Sequence, residues 1–195
     1  MNRYFLLTVI VLVVLAGCRK SKTESVAKPP NTDACALITN AELQAIQSAP
    51  VKDTKGSDQS DGRFRITQCF YNTDPFNKSV SLAVTQSDPV SPSARDPKEF
   101  WQQTFGRYES EMRERKGDEE EKKKSLKDED EERGRPPKKI EGVGDDAFWT
   151  ANRLGGALYV LKNNVFIRIS VGGPETEESK IERCKALAAK ALSRL

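Results

Sequence analysis

The sequence predicts an α+β fold in which an antiparallel sheet of about five strands packs against helices, in the order α-β-β-α-β-β-β-α. Three observations lead to this prediction. Several segments alternate apolar and polar residues with the period of two that is typical of strands. Other segments repeat apolar residues every three to four positions, which is typical of helices. The pair Asn163-Asn164 separates two strand segments as a short turn, and such turns join antiparallel neighbours.

The predicted domain begins with a short helix. Thr39 and Glu42 have the spacing of a capping box, and Ile38 and Leu43 have the spacing of a hydrophobic staple around the same helix start. Because two independent signals agree, we place the helix start at Thr39, and we expect the helix to end near Gln47.

A loop and a hairpin follow this helix. Residues 51–62 are rich in turn-forming residues, so their composition predicts a loop. Residues 63–71 and 80–84 alternate apolar with other residues and predict two strands, which a turn at 72–78 joins into a hairpin. The apolar face of the first strand is formed by Phe64, Ile66 and Phe70.

A longer helix is predicted from Asp96, which caps it, with Pro97 in the first turn and Glu99 completing the capping box. Its apolar residues share one face, so we expect them to pack on the sheet; lining a ligand groove is the alternative use of such a stripe. The stripe consists of Trp101, Phe105, Tyr108 and Met112.

A charged insertion is predicted at about 113–139. Leu126 is the only apolar residue between Arg113 and Arg135, so this segment has no face to bury. Glutamate and lysine residues four positions apart favour partial helicity, and local disorder is the alternative. A weak cation site or a charged docking surface would be the functional use of the same residues.

Three further strands are predicted at residues 147–152, 157–162 and 165–171, with turns at Gly155-Gly156 and Asn163-Asn164. A terminal helix is then expected to open at Gly173 and Pro174. Its buried stripe should contain Ile181, Cys184, Ala188, Ala191 and Leu195.

The N-terminus has the features of an export signal: Arg3, an apolar run over residues 5–15, and the small residues Ala16 and Gly17. A membrane-spanning helix needs about twenty apolar residues, so this shorter run predicts a cleaved signal peptide. The sequence Leu15-Ala16-Gly17-Cys18 resembles the lipobox of bacterial lipoproteins. That resemblance implies cleavage between Gly17 and Cys18 and a diacylglyceryl group on the Cys18 sulfur. An ordinary secretory signal with an incidental cysteine is the alternative.

The chain therefore divides into a signal peptide at 1–17, a lipidated cysteine with a flexible tether at 18–30, and a single α+β domain at 31–195. The expected location is the cell envelope, with the membrane as a partner through the lipid. Arg19 follows the lipobox, and in a Gram-negative source the absence of an aspartate there favours the outer membrane, facing the periplasm.

The composition of the chain argues against several classes of function. The chain has a formal net charge of +3, and the signal (+1) and tether (+3) leave about −1 for the domain, which is therefore near neutral and lacks the basic footprint of a nucleic-acid-binding protein. It has no histidine, the commonest general base and metal ligand. We accordingly expect no nucleic-acid partner, no metal and no cofactor. Cys35, Cys69 and Cys184 remain after the lipobox, and in an exported protein they allow one disulfide with one thiol left over.

The domain resembles a class of uncharacterised bacterial lipoprotein domains that has no general assigned activity. The resemblance is carried by residues 33–39 with Glu42, by 69–71, by 142–149 and by 165–173. It implies a disulfide between Cys35 and Cys69. The charged insertion and Cys184 depart from the pattern, so Cys184 is either unpaired or an alternative partner.

These observations favour a non-enzymatic protein that binds an envelope protein or ligand near the membrane. The first alternative is a carboxylate-dependent enzyme, for which Asp145 and Asp146 are the candidate acids if their side chains converge in a pocket. The second is an assembly subunit that docks through residues 113–135. Residues 142–144 contain two glycines, but no helix follows to complete a phosphate-binding loop, so they predict a turn.

Overall fold

The computed structural model describes residues 32–115, 135–152 and 155–195. The signal peptide, Gly17, Cys18, the predicted tether and most of the charged insertion therefore lie outside the described residues. Within the described ranges the α-helices are α1 (Asn40–Gln47), α2 (Pro97–Arg115) and α3 (Glu177–Leu192). The strands are β1 (Val51–Ser60), β2 (Phe64–Thr73), β3 (Val80–Ser87), β4 (Lys138–Lys139), β5 (Asp146–Asn152), β6 (Gly155–Lys162) and β7 (Val165–Val171). Single 3₁₀ turns form at Ala34–Ala36 and Phe76–Lys78.

All seven strands belong to one antiparallel sheet in the order β1-β2-β3-β7-β6-β5-β4. Two meanders, β1–β3 and β4–β7, meet where β3 pairs with β7. The prediction of mixed helices with an antiparallel sheet is confirmed. The predicted strand count and order were wrong in detail, because β1 and β4 were not expected.

The predicted loop at 51–62 is instead a ten-residue edge strand followed by a tight turn. All its residues after Val51 are exposed, so the apolar alternation that marks a half-buried strand is absent. Its pairing with β2 comes from backbone hydrogen bonds. The turn is closed by the carboxylate of Asp61, which accepts the backbone N–H groups of Arg63 and Phe64, and it passes through Gly62 at φ 80°.

The main core lies between one face of the sheet and the helices α1 and α3. On β2 this face carries Cys69 and Tyr71 rather than the expected Phe64, Ile66 and Phe70. Tyr71 is fully buried, and its hydroxyl, which burial removes from water, donates to the Ile38 carbonyl at 2.9 Å. The capping box of α1 forms as predicted, with Thr39 and Glu42 bonding each other's backbone N–H groups.

The opposite face of the sheet is partly covered by α2. Asp96 caps this helix as predicted, accepting the backbone N–H groups of Lys98 and Glu99. Trp101 and Phe105 pack against Phe148 and Leu161, with Tyr108 at the border of the cluster. The indole N–H of Trp101 donates to Asp146 at 2.8 Å. Trp101 and Phe105 of the predicted stripe are therefore core residues, as expected, whereas the side chain of Met112 lies outside the described part of the structure.

The C-terminal helix differs from its prediction at both ends. It begins at Glu177, capped by the Thr176 hydroxyl, rather than at Gly173 and Pro174. It ends at Leu192, so Leu195 leaves the helical register and is 42% exposed, while Leu187 is buried in the stripe. The Arg194 guanidinium then ties this end to α1 through the Leu37 carbonyl and the Glu42 carboxylate.

Two smaller differences concern the sheet. Lys138 and Lys139 pair with Trp149 and Phe148, so the sheet begins inside the range assigned to the charged insertion. Gly155 and Gly156 lie within β6 rather than in a turn. Gly156 fits there because a side-chain carbon at this position would stand 2.0 Å from the Trp149 ring. None of the helices in the described ranges is both long and apolar enough to cross a bilayer.

Candidate functional site

A cavity of about 320 Å³ opens beside the edge strand β1, at the point where the described chain begins. We call it the Thr32 cavity. Its lining consists of Thr32, Asp33, Gly56, Ser57, Asp58 and Thr67. The volume is at the lower end of the range for small-molecule sites, and the space is a depression open to solvent rather than an enclosed pocket.

The cavity wall formed by the chain before α1 is fixed by hydrogen bonds to the sheet. The Thr67 hydroxyl donates to the Thr32 carbonyl at 2.7 Å, and the Thr32 N–H donates to the Gln86 side-chain oxygen at 3.2 Å. One oxygen of Asp33 accepts the Cys35 N–H at 2.9 Å, which caps the 3₁₀ turn. These bonds hold the Asp33 carboxylate at the rim before any ligand arrives.

The second carboxylate of the cavity belongs to Asp58 on β1. The Arg65 guanidinium on β2 grips both of its oxygens, with the Nε–Oδ1 distance at 2.8 Å. This hydrogen bonding lowers the pKa of Asp58, against a smaller opposing effect of burial. Asp58 is therefore an anion at neutral pH, partly neutralised by Arg65.

The disulfide between Cys35 and Cys69, whose sulfurs are 2.09 Å apart, lies next to the cavity residue Gly56. Gly56 passes over it, and a side-chain carbon at Gly56 would lie 3.4 Å from the Cys35 sulfur. The pairing is the one that the family resemblance implied. Among the described cysteines Cys184 is unpaired; it is buried, and burial raises the pKa of its thiol to about 12.

The candidate acids Asp145 and Asp146 are not brought together. Asp145 accepts from Lys162 at 2.9 Å and from the Asn163 N–H, which supports the turn between β6 and β7 and lowers the pKa of Asp145. Asp146 binds Lys139 and the Trp101 indole on the α2 side. Each carboxylate thus has its own basic partner, and the two do not form one pocket.

The glycines of residues 142–144 serve a turn, as predicted. Gly144 has φ 62°, and a side-chain carbon there would stand within 2.5 Å of Val160 and Leu161. Within the described ranges, no three Asp, Glu, Cys or His residues form a group that could hold a metal ion.

The cavity residues on β1 were missed because they fell in the predicted loop. One signal was available: the pair Asp61-Gly62, followed by the strand-like segment 64–71, is a strong hairpin signal that requires a strand before it. No comparable signal marks Asp33 or Thr32 as cavity residues, since the cavity depends on their position across β2.

Comparisons with known proteins do not assign the chain to a family. No protein-family model matches it, and no curated protein matches it. A solved structure described as a GTP-binding regulator from Thermotoga maritima is similar over 79% of this chain and 87% of its own, at 11% identity and a TM-score of 0.38. A similarity of this size does not indicate what this chain binds.

Proposed function

We propose that the chain is a lipid-anchored cell-envelope protein, attached through Cys18, whose domain binds a ligand or partner protein at the Thr32 cavity. The observation that carries the proposal is the lipobox ending at Cys18, placed fourteen residues before the cavity residue Thr32. Anchor and cavity are therefore close neighbours along the chain.

The number of residues between Cys18 and Thr32 determines how far the cavity can lie from the membrane. Fourteen residues of flexible chain have a root-mean-square span of about 20 Å. Such a span places the Thr32 cavity within reach of molecules at the membrane surface. A partner held in the same membrane would then meet the cavity at high effective concentration.

The lining indicates the chemistry of the ligand. Its residues include two carboxylates, Asp33 and Asp58, and three hydroxyl-bearing residues, Thr32, Ser57 and Thr67, but no basic residue. Such a lining suits a ligand group that carries positive charge or several hydrogen-bond donors.

The anchor is tested by Cys18→Ser, which removes the sulfur that receives the lipid. We expect the variant to lose incorporation of radiolabelled palmitate and to leave the detergent phase on phase separation. Cys184→Ala is the matched control, since it removes a cysteine from the same chain and should keep both properties. Unchanged membrane attachment of the Cys18→Ser protein would overturn the anchor.

Binding at the cavity is tested in cells with a photo-crosslinking amino acid at the lining residue Thr32, compared with the same group at Ala189 on the exposed side of α3. The proposal expects a discrete adduct from position 32 that is absent from position 189. Equal labelling at both positions, or none at 32 while the protein is folded and anchored, would count against the cavity as the binding site.

A further inference from the structure

We propose that the outer edge of β1 receives an extended segment of a partner protein as an eighth strand, with a lysine or arginine of that segment lying over Gly56 and facing Asp33 and Asp58. This inference rests on the proposed function, because it names the class of partner that occupies the Thr32 cavity. Addition of a strand to a sheet edge is an established mode of peptide recognition.

The hydrogen-bonding groups of that edge follow from the register of the hairpin. The Asp61 N–H donates to the Phe64 carbonyl at 3.2 Å, so Asp61 faces β2. Backbone direction alternates along a strand, and residues 53, 55, 57 and 59 therefore also face β2. The N–H and C=O groups of Thr54, Gly56, Asp58 and Ser60 point the other way, where the described residues provide no further strand.

The same register places the cavity beside this edge. Gly56 is paired with Cys69, and Asp58 is paired with Thr67, so these positions share the face that carries the disulfide and the cavity. A residue added opposite Gly56 would direct its side chain to that face from about 4.8 Å away. Gly56 has no side chain to obstruct it, so a long side chain can cross β1 toward the cavity.

The negative charge of the cavity lining favours a basic side chain at the position of the added strand that lies over Gly56. Asp33 and Asp58 are the charged residues of the lining, and one guanidinium, that of Arg65, is already bound to Asp58. The local balance is therefore one excess negative charge, which a lysine or arginine of the added strand would neutralise.

The charges on β1 itself do not block a strand. Lysines on an edge usually discourage pairing. Here the Nζ of Lys52 lies 3.0 Å from the Oδ2 of Asp74. The Nζ of Lys55 lies 3.7 Å from the Oδ2 of Asp53, so both lysines have an acidic partner within the chain. Residues 51–60 also contain no proline. The edge is thus long and locally charge-balanced, and its pairing with β2 is regular from Asp53 to Ser60, after a register shift between Val51 and Asp53.

The test uses the full chain, isotope-labelled in detergent micelles, and a nine-residue peptide of alternating threonine and valine with a central lysine. Two further peptides replace the lysine by glutamate or carry N-methyl groups on alternate backbone nitrogens. Amide chemical shifts report the site of binding. We expect changes centred on Thr54, Gly56 and Asp58, binding about fivefold or more tighter for the lysine peptide than for the glutamate peptide, and no binding of the N-methylated peptide.

Variants separate the edge from the cavity charge. Gly56→Pro removes an outward N–H without removing a bond to β2, and it should abolish binding, whereas Gly56→Ala keeps the N–H and should bind. Asp33→Asn keeps a capping side chain and should weaken lysine-peptide binding about fivefold. Glu182→Gln makes the same charge change at an exposed position on α3, away from β1, and should have no effect. Circular dichroism confirms that each variant is folded.

Failure of the lysine peptide to bind the folded wild-type chain would overturn the inference, as would binding that survives both N-methylation and Gly56→Pro. Concentration-dependent dimers that Gly56→Pro abolishes, without peptide binding, would also overturn it, because a second copy would then occupy the edge. The proposed function fails separately: it is judged by Cys18→Ser and by crosslinking at Thr32, neither of which requires a strand-shaped ligand.

Discussion

The two strands of the first hairpin have equal length but fold for different reasons. In β2, Thr67, Cys69 and Tyr71 are buried and joined to the segment before α1: Thr67 donates to the Thr32 carbonyl, Cys69 is bonded to Cys35, and Tyr71 donates to the Ile38 carbonyl. In β1, every residue after Val51 is exposed, and the strand depends on its ladder with β2. Apolar periodicity therefore indicates burial rather than strand structure. Because β1 buries no side chain after Val51, it should tolerate substitutions that β2 cannot.

The largest effect should come from removing the disulfide that ties β2 to the start of the domain. Replacing both Cys35 and Cys69 with serine releases a loop closed over a sequence separation of 34. The chain-entropy model gives a loss of about 3 to 4 kcal/mol in the free energy of unfolding. Denaturant titration of the wild-type and double-serine proteins measures it. A loss below about 1 kcal/mol would show that β2 is held by packing alone.

A smaller effect is expected at the buried hydroxyl of β2. Tyr71→Phe removes the donor to the Ile38 carbonyl, which stays buried, and should cost about 1 to 2 kcal/mol of unfolding free energy. Burial also raises the pKa of Tyr71 to about 12, so its phenol should not ionise in a spectroscopic titration until well above the usual range. A normal phenol titration would contradict the buried position.

The matched change on β1 should be nearly silent. Ser57→Val places a good strand former on an exposed position and should alter the unfolding free energy by no more than about 0.5 kcal/mol. Thermal unfolding of this variant beside Tyr71→Phe provides the direct comparison of the two strands. A loss as large as that of Tyr71→Phe would mean that β1 has side-chain packing comparable to that of β2.

The smallest effect concerns the ion pair between the strands. The folded pKa of Asp58 is lowered by Arg65, so the stability this carboxylate contributes is present above its unfolded pKa and is lost as pH falls through the lowered value. Asp58→Asn should therefore lower the melting temperature slightly at about pH 7, and the difference should shrink as the pH falls below the usual aspartate pKa of about 3.9. A difference that does not shrink on acidification would require a cause other than charge.

The sequence-based prediction succeeded where the side chains that stabilise an element also give it a recognisable sequence pattern. Thr39 and Glu42 located the start of α1, and Asp96 with the stripe from Trp101 to Tyr108 located α2 and its buried face. It failed at Lys138 and Lys139, because a two-residue strand made by backbone pairing leaves no periodic pattern. It also failed to find the Thr32 cavity. The cavity is lined by Thr32 and Asp33, by residues of β1 and by Thr67 of β2, and the hairpin of β1 and β2 was not predicted.

The disulfide also decides how mechanical load is distributed through the domain. A pull applied before Thr32, with the C-terminal helix α3 held, reaches Cys35 after three residues and can pass through the sulfur–sulfur bond into Cys69. Residues 36–68, which include α1 and all of β1, then lie in a closed loop that carries no tension. The edge strand would keep its register while the force passes into β2.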